Sequence, residues 1–239
     1  MSKDLREYCS ALHPLLAELP PDTFERLAIY AALLAKWQRA VNLIGPASPE
    51  EIWVRHFADS LQVQKTLPAA RRWLDLGSGA GFPGLVTAIR IAGETDAKVH
   101  LIESNQRKCA FLRTVAREVD APIEIHCGRI EKIVQALEAP VEAVSARGLA
   151  PLDRLVAYAE KFLLRGATGV FPKGKQFEAE LTALTANQYF VRILRSETDP
   201  MARLLLVRRN KRMDSPRSQE TGESHQGSIQ RASINKGYK

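Results

Sequence analysis

The residue pattern with the clearest chemical meaning is a glycine-rich segment from Asp75 to Gly81. Its glycines follow the mostly apolar residues 73–76, so they lie where a buried strand would turn into a helix. Glycines at such a turn let a ligand approach the backbone closely, because no Cβ atom blocks it. The spacing is G-x-G-x-G, and the sixth position from Gly77 is Phe82, where a dinucleotide-binding fingerprint needs glycine. The pattern therefore disfavours a pyrophosphate clamp and a nicotinamide-dependent oxidoreductase.

An acidic residue, Glu103, ends the next predicted strand. In a doubly wound fold, an acid at this position accepts hydrogen bonds from both hydroxyls of a ribose. Together with the glycine turn, it is typical of class I methyltransferases, which bind S-adenosylmethionine. The alternatives are a glycine turn with a structural role only and, for Glu103, an acid stabilised by the dipole of the next helix. The predicted cofactor-binding residues in this part of the chain are Asp75, Gly77, Gly79, Phe82 and Glu103.

A third segment, residues 128–131, follows the next predicted strand, where a site of this kind contacts the adenine base. Ile130 would pack on the ring, and Glu131 or the backbone beside it would meet the amino group. An ordinary helix cap is the alternative interpretation of Glu131.

The elements that must position these residues are short apolar runs that alternate with helical stretches from residue 72 onwards. Strands are predicted at 73–76, 99–103, 123–127, 143–145, 169–173, 189–194 and 203–207, and helices at 83–92 and 105–119. This alternation predicts an α/β fold of the class I methyltransferase (Rossmann-like) type, with a mostly parallel seven-stranded sheet. The short connection between the last two strands predicts an antiparallel edge hairpin.

The N-terminal third is predicted to be helical, with helices around residues 5–19 and 49–66. Between them a helix would begin at Asp22, which is followed by Glu25 at the spacing of a capping box. The predicted domains are an N-terminal helical extension (1–68), a methyltransferase domain (69–209) and a disordered basic tail (210–239), which is poor in apolar residues.

Net charge and cysteine content limit the classes of protein that fit. The formal net charge is +7, but residues 208–239 contribute +5 of it, so basicity is weak evidence that the folded body binds nucleic acid. The tail would be either an arm that contacts phosphates or a solvated segment without a role. Three scattered cysteines indicate neither a disulfide scaffold nor a zinc cluster. With no long apolar run and no secretory signal pattern, we expect a cytoplasmic protein.

Several longer segments resemble the glucose-inhibited division protein B family (RsmG). The members of this family are 16S ribosomal RNA guanine-N7 methyltransferases. The resemblance covers about residues 27–207, and Gly148 replaces the alanine that is usual in the family. The segments that carry it are Asn42-Leu43, R-H-F-A-D-S-L at 55–61, L-D-L-G-S-G-A-G-F-P-G at 74–84, L-I-E-S-N at 101–105, Lys108, Phe111-Leu112, Ser145-Ala146-Arg147 and Lys173-Gly174.

The resemblance implies methyl transfer from S-adenosylmethionine to N7 of one guanosine in 16S ribosomal RNA. N7 has a lone pair and no proton, so this attack needs no general base, and catalysis would be mainly positioning. Arg147 and Lys173 are the expected catalytic residues, which would hold guanine O6 or phosphate, and Arg147 would also approach the cofactor. The expected RNA or pocket residues are Asn42, His56, Asp59, Ser60 and Lys173.

Purely structural roles are the alternatives for these residues: an ion pair for Arg147, a surface position for Lys173, and a structural contact between His56 and Asp59. Alternatives also remain for the whole chain, namely a methyltransferase for a small molecule or a protein, or a non-catalytic nucleotide-binding regulatory module. The expected partner is 16S ribosomal RNA or the small ribosomal subunit. We expect no membrane partner and no metal, and a monomer.

Overall fold

The computed structural model describes residues 3–184 and 188–210. Its strands are β1 (Arg72–Leu76), β2 (Lys98–Glu103), β3 (Ile123–Cys127), β4 (Ala143–Ser145), β5 (Thr168–Lys173), β6 (Tyr189–Arg195) and β7 (Arg203–Arg209). They form one sheet in the order β3-β2-β1-β4-β5-β7-β6. The first five strands run parallel, and β7 pairs antiparallel with both β5 and β6. The predicted class I methyltransferase architecture and its antiparallel edge hairpin are confirmed.

The helices come in two groups. The N-terminal group is α1 (Lys3–Leu12), α2 (Pro14–Ala17), α3 (Pro21–Gln38), α4 (Pro49–Ile52), a π-helical turn (Trp53–Ala58) and α5 (Asp59–Lys65). The helices that alternate with the strands are α6 (Gly84–Arg90), α7 (Gln106–Glu118), α8 (Ile130–Ala136), α9 (Leu152–Leu164) and α10 (Phe177–Thr182). Across the part of the chain that the structure describes, none of these helices has the length and apolar character to cross a membrane.

The N-terminal helices and one face of the sheet share a single apolar cluster. Tyr30 of α3 and Phe57 of the π-helical turn are fully buried in it together with Trp73 of β1. The ring of Phe57 meets those of Tyr30 and Phe82 edge-on, at centroid distances of 5.1 and 5.4 Å. The helical extension therefore packs on the sheet through a continuous core, and this core reaches the glycine turn that precedes α6.

The structure corrects three local predictions. The helix predicted over residues 5–19 is two helices, because Pro14 begins α2 and the His13 ring caps it by accepting a hydrogen bond from the Leu15 N–H. The capping box at Asp22 is wrong, since Pro20 precedes the first turn of α3 without a side-chain cap within the described residues. A complete capping box occurs at Ser48, the N-cap residue that precedes α4. The helix predicted over 49–66 contains the π-helical turn.

The predicted tail, 210–239, lies outside the described residues from 211 onwards.

We expect Phe57→Ala to lower the free energy of unfolding by about 3–5 kcal/mol, because it leaves a cavity where the helical extension meets the sheet. Phe190→Ala is the matched control, because that ring is 62% exposed on β6 and its removal should cost under about 1 kcal/mol. Urea denaturation followed by circular dichroism measures both. Equal losses for the two variants would contradict a continuous core at Phe57.

Candidate active site at the carboxyl ends of the strands

A cavity of about 770 Å³ lies at the carboxyl ends of β1, β2 and β4. The chain crosses over at β1, which has β2 on one side and β4 on the other, and open α/β sheets bind ligands at such a point. The structure brings together eight of the predicted site residues as lining of this cavity. They are His56, Gly77, Gly79, Phe82, Glu103, Ile130, Glu131 and Arg147.

The glycine turn that follows β1 needs glycine for two different reasons. Gly77 and Gly79 have φ angles of 66° and 58°, which residues with a Cβ rarely adopt. Gly81, with φ at 99°, also has a packing constraint, since a Cβ there would lie 2.6 Å from the Tyr30 hydroxyl. That hydroxyl donates a hydrogen bond to the Ala80 carbonyl. The turn is therefore fixed both by its own backbone and by α3.

Glu103 ends β2, and its carboxylate is held by backbone groups on two sides. Oε2 accepts a hydrogen bond from the Gly79 N–H at 2.9 Å, and Oε1 accepts one from the Asn105 N–H at 2.7 Å. Glu103 is only 8% exposed, yet it lines the cavity. Each oxygen keeps a second lone pair, so the carboxylate is oriented in advance to accept hydrogen bonds from a ligand.

Arg147, just after β4, is the most connected side chain of the site. Its Nη1 donates to the Arg55 carbonyl at 2.8 Å and to Oδ2 of Asp59 at 3.0 Å, and its Nη2 donates to Nδ1 of His56 at 2.8 Å. The guanidinium also lies over the Phe82 ring, with its carbon 5.2 Å from the ring centroid. It thus joins the π-helical turn, α5 and the glycine turn at one cavity wall.

His56 is uncharged at neutral pH. Burial, and next the nearby charge of Arg147, lower the pKa of His56 from 6.5 to about 4. Because Nδ1 accepts from Arg147, the neutral ring carries its proton on Nε2, which leaves Nε2–H as a hydrogen-bond donor. The ring stacks on Phe82 at 4.9 Å between centroids. His56 therefore lines the cavity as a neutral ring whose orientation is fixed by Arg147 and Phe82.

At the opposite rim, Glu131 at the start of α8 meets α9. The Tyr158 hydroxyl donates to Glu131 Oε1 at 2.9 Å, and Arg154 donates from Nε to that hydroxyl at 2.8 Å. Sequence reasoning missed Arg154 and Tyr158, although their spacing of four residues places both on one face of a helix. It also missed Leu149, whose side chain would lie 2.7 Å from a Cβ on Gly77.

Five predicted site residues are not brought into the cavity lining. Asp75 is buried beneath the glycine turn, and Ser60 is fully buried with its hydroxyl donating to the His56 carbonyl at 2.6 Å. Asn42 is exposed just before the lining segment Leu43–Gly45, and Asp59 stands behind Arg147. The fifth is Lys173, which donates to the Ala150 carbonyl at 2.6 Å and pairs with Glu180 at 2.7 Å. These contacts support the site from outside it.

Asp75 has a structural environment of its own. Its carboxylate Oδ1 accepts a hydrogen bond from the Ser145 hydroxyl at 2.7 Å, and a Cβ on Gly84 would lie 2.6 Å from the Asp75 Cβ. Burial raises the pKa of Asp75 from 3.8 to about 6, although the hydrogen bond from Ser145 opposes the shift. The acid before the glycines therefore packs the turn against β4 and α6 and is not exposed to the cavity.

The raised pKa of Asp75 makes stability depend on pH. The folded state binds the proton more tightly than the unfolded chain, so this contribution is present below pH 4 and is lost as the pH rises through about 6. We expect Asp75→Asn to stabilise the protein at pH 8, relative to its effect at pH 4, by up to about 3 kcal/mol. Urea denaturation at the two pH values measures this, with exposed Asp153→Asn as control. A difference that does not change with pH would contradict it.

Comparison with known proteins agrees with this architecture. The model of the family described as rRNA small subunit methyltransferase G matches residues 23–202. Among solved structures, a methyltransferase of Podospora anserina, PaMTH1, superposes with a TM-score of 0.57 at 12% identity, over 88% of this chain and 97% of its own. The O-methyltransferase TomG of Streptomyces achromogenes gives a TM-score of 0.54 at 17% identity, over 88% and 100%. These two likenesses concern the fold.

Curated relatives match at much higher identity. The Ribosomal RNA small subunit methyltransferase G of Methylorubrum populi is 45% identical over 215 residues, which are 90% of this chain and 100% of the relative. The protein of the same name from Parvibaculum lavamentivorans is 45% identical over 195 residues, which are 81% and 86% of the two chains. With the family model matched from residue 23 to residue 202, the chain belongs to the rRNA small subunit methyltransferase G family.

Proposed function

We propose that this protein transfers a methyl group from S-adenosylmethionine to N7 of a guanosine in 16S ribosomal RNA. The observation that carries the proposal is that one cavity holds both the oriented carboxylate of Glu103 and the Arg147–His56–Phe82 group. Glu103 is suited to bind a nucleoside cofactor. The Arg147–His56–Phe82 group is suited to bind a planar base with an acceptor on its edge. Family membership supports the RNA substrate, and the resemblance to guanine-N7 methyltransferases supports the position methylated.

The part of the cavity that would bind the cofactor is lined by the glycine turn and the two segments beside it. S-adenosylmethionine supplies an electrophilic methyl group on a sulfonium. Glu103 would accept hydrogen bonds from the ribose hydroxyls, since both of its oxygens keep free lone pairs. Gly77 and Gly79 leave the backbone open beside it, and Ile130 and Glu131 line the wall where the adenine would lie.

The guanine half of the cavity requires donors, because the edge that bears N7 also bears the acceptor O6. Arg147 and the Nε2–H of His56 are donors that could share this acceptor without touching N7. N7 itself has no proton, so its attack on the methyl group releases none to the protein. A His56 that stays neutral is consistent with a role in orientation rather than in proton transfer.

Positioning of Arg147 would depend on a network behind it. Asp59 accepts from Arg147 through Oδ2, while its Oδ1 accepts from Gln62 at 2.7 Å and from the Thr198 hydroxyl at 2.9 Å. Gln62 is buried and also donates to the Ser196 hydroxyl at 3.1 Å. The loop between β6 and β7 thereby orients the carboxylate that orients Arg147, which keeps the guanidinium in one geometry.

Lys173 would act through the loop that follows Arg147. Its ammonium holds the carbonyl of Ala150, which lines the cavity together with Gly148 and Leu149, and Glu180 balances its charge. We therefore propose Lys173 as a positioning residue, in place of the direct contact with guanine or phosphate expected from the sequence. The helical extension (1–68) and the methyltransferase domain (69–209) would work together, since both supply cavity residues. A ribosomal substrate would place the reaction in the cytoplasm.

The decisive experiment supplies the full chain with methyl-labelled S-adenosylmethionine and small subunits from cells that lack the modification. We expect label in 16S RNA at one guanosine, and strand cleavage there after borohydride and aniline, because N7 methylation makes the ring labile. Labelled RNA without cleavage would overturn N7 as the position. Unlabelled RNA, with cofactor binding intact in calorimetry, would overturn RNA methylation and leave the small-molecule, protein or regulatory alternatives.

Glu103→Gln tests the cofactor half. We expect weaker binding of S-adenosylmethionine by about 1–3 kcal/mol, since the amide loses an acceptor and the charge that strengthens bonds from hydroxyls. Glu118→Gln is the matched control, because this exposed glutamate lies on α7 away from the cavity lining. Isothermal titration calorimetry measures both, and equal affinities for the two variants would contradict the ribose role.

Arg147→Lys tests the geometry of the guanine half, because lysine keeps the charge and loses the planar fork. We expect the single-turnover rate of methyl transfer at saturating cofactor and subunit to fall about tenfold or more. Arg117→Lys, on the exposed face of α7, is the control and should leave the rate unchanged. An unchanged rate in Arg147→Lys would show that charge alone is required there.

A further inference from the structure

Two histidines and one glutamate meet at the edge of the sheet, outside the cavity described above. His100 lies on β2, and Glu124 and His126 lie on the neighbouring strand β3. In the parallel register His100 stands opposite Glu124, and Ile102 stands opposite His126. Because side chains alternate along a strand, all three point to the same face of the sheet.

The atoms that could bind an ion face one another. His100 Nδ1 and His126 Nε2 are 3.0 Å apart, and each lies 3.8 Å from a carboxylate oxygen of Glu124. One ligand atom from each residue falls within a span of 4.8 Å. Two ligands of a tetrahedral Zn²⁺ ion at about 2.1 Å from the metal are about 3.4 Å apart. To share one ion, the two nitrogens would move apart by about 0.4 Å, and one Glu124 oxygen would approach the farther nitrogen by about 1.4 Å at most, which its exposed side chain allows.

We infer that His100, Glu124 and His126 form a binding site for a divalent cation of the zinc class. Two imidazole nitrogens and a carboxylate oxygen are ligands that Zn²⁺ prefers, and water would complete the coordination. The two nitrogens now share one proton between them. When the metal binds, that proton moves to the other nitrogen of the same ring, which leaves both facing nitrogens free to bind the ion.

Burial makes the site partly preformed. His100 is 6% exposed, and its ring lies 5.2 Å from the His126 ring between centroids, so the two facing nitrogens are already close together at a mostly buried position. Glu124 is exposed and supplies the entry side. The ion would bridge β2 to the edge strand β3, one residue pair before Glu103 and Cys127 pair in the same register. Its role would be to brace the strand that carries Glu103.

Lys98 is the competing cation. It precedes His100 by two residues on the same face of β2, and its ammonium lies 3.8 Å from Glu124 Oε2. The lysine side chain is half-exposed, so it can swing into solvent when an ion takes the carboxylate. Removing its positive charge would lower the repulsion that an incoming cation meets. Lys98→Gln is therefore expected to bind the ion more tightly than the unaltered chain.

The test uses the full chain after EDTA treatment and buffer exchange, titrated with Zn²⁺ in a calorimeter and with Co²⁺ in a spectrophotometer. We expect one Zn²⁺ per chain, Co²⁺ absorption bands in the 500–650 nm range typical of tetrahedral coordination, and a rise in Tm on binding. His126→Gln and Glu124→Gln should each weaken binding at least tenfold, whereas Lys98→Gln should strengthen it.

Glu118→Gln is again the matched control, since it removes an exposed carboxylate outside the cluster, and its Zn²⁺ affinity should equal that of the unaltered chain. Circular dichroism checks that each variant is folded before it is titrated. Failure of the unaltered chain to bind one ion would overturn the site. Unchanged affinity in folded His126→Gln or Glu124→Gln would overturn it as well, because the ion would then be held elsewhere. No outcome depends on methyl transfer.

Discussion

The geometry of the cavity depends above all on the shared guanidinium of Arg147. It donates to a carbonyl and an imidazole on the π-helical turn and to a carboxylate at the start of α5, and it covers the ring of Phe82. A planar group with donors in a fixed fork is the side chain that can satisfy all of these partners together. One residue at the end of β4 thus fixes the relative placement of the helical extension and the glycine turn at the cavity wall.

This arrangement also determines the charges at the cavity wall formed by Arg147, His56 and Phe82. Asp59 is the carboxylate partner of the guanidinium, and burial together with the same guanidinium keeps His56 neutral. The wall therefore presents donors with little net charge. That suits a reaction in which the attacking nitrogen becomes positive, because a free cation beside it would oppose the product. Catalysis without a proton acceptor would then rest on how rigidly these donors are held.

Much of the fold could be predicted because its signals are local. The strands that border the cavity, β1, β2 and β4, are short buried runs. The glycine turn and Glu103 come at the ends of β1 and β2, which strand pairing brings together. The placement of Asp75 and Lys173 could not be predicted in the same way. Both are polar residues near strand ends, and whether such a side chain faces a ligand or packs under a loop depends on partners such as Ser145 and Ala150.

Contacts between elements explain the other residues that were missed. Tyr30 belongs to α3, but its importance arises from the Ala80 carbonyl and from Gly81, which are about 50 residues further along the chain. The loop between β6 and β7 reaches the site through Gln62 and Asp59. Helical periodicity shows that such residues face a core, and it carries no information about which polar group they meet there.

The orientation of Glu103 likewise depends on contacts between elements, here between the strands at the edge of the sheet. A carboxylate held by two backbone N–H groups keeps its orientation only as long as β2 and the turn after it stay in register. On one side β1 fixes that register through five residue pairs, but on the other side β3 is the last strand of the sheet. Edge strands open most readily, since they are paired on one side only. A cation shared by His100, Glu124 and His126 would act at this less constrained side of β2. Additional bonds there would do most to hold Glu103 in one orientation.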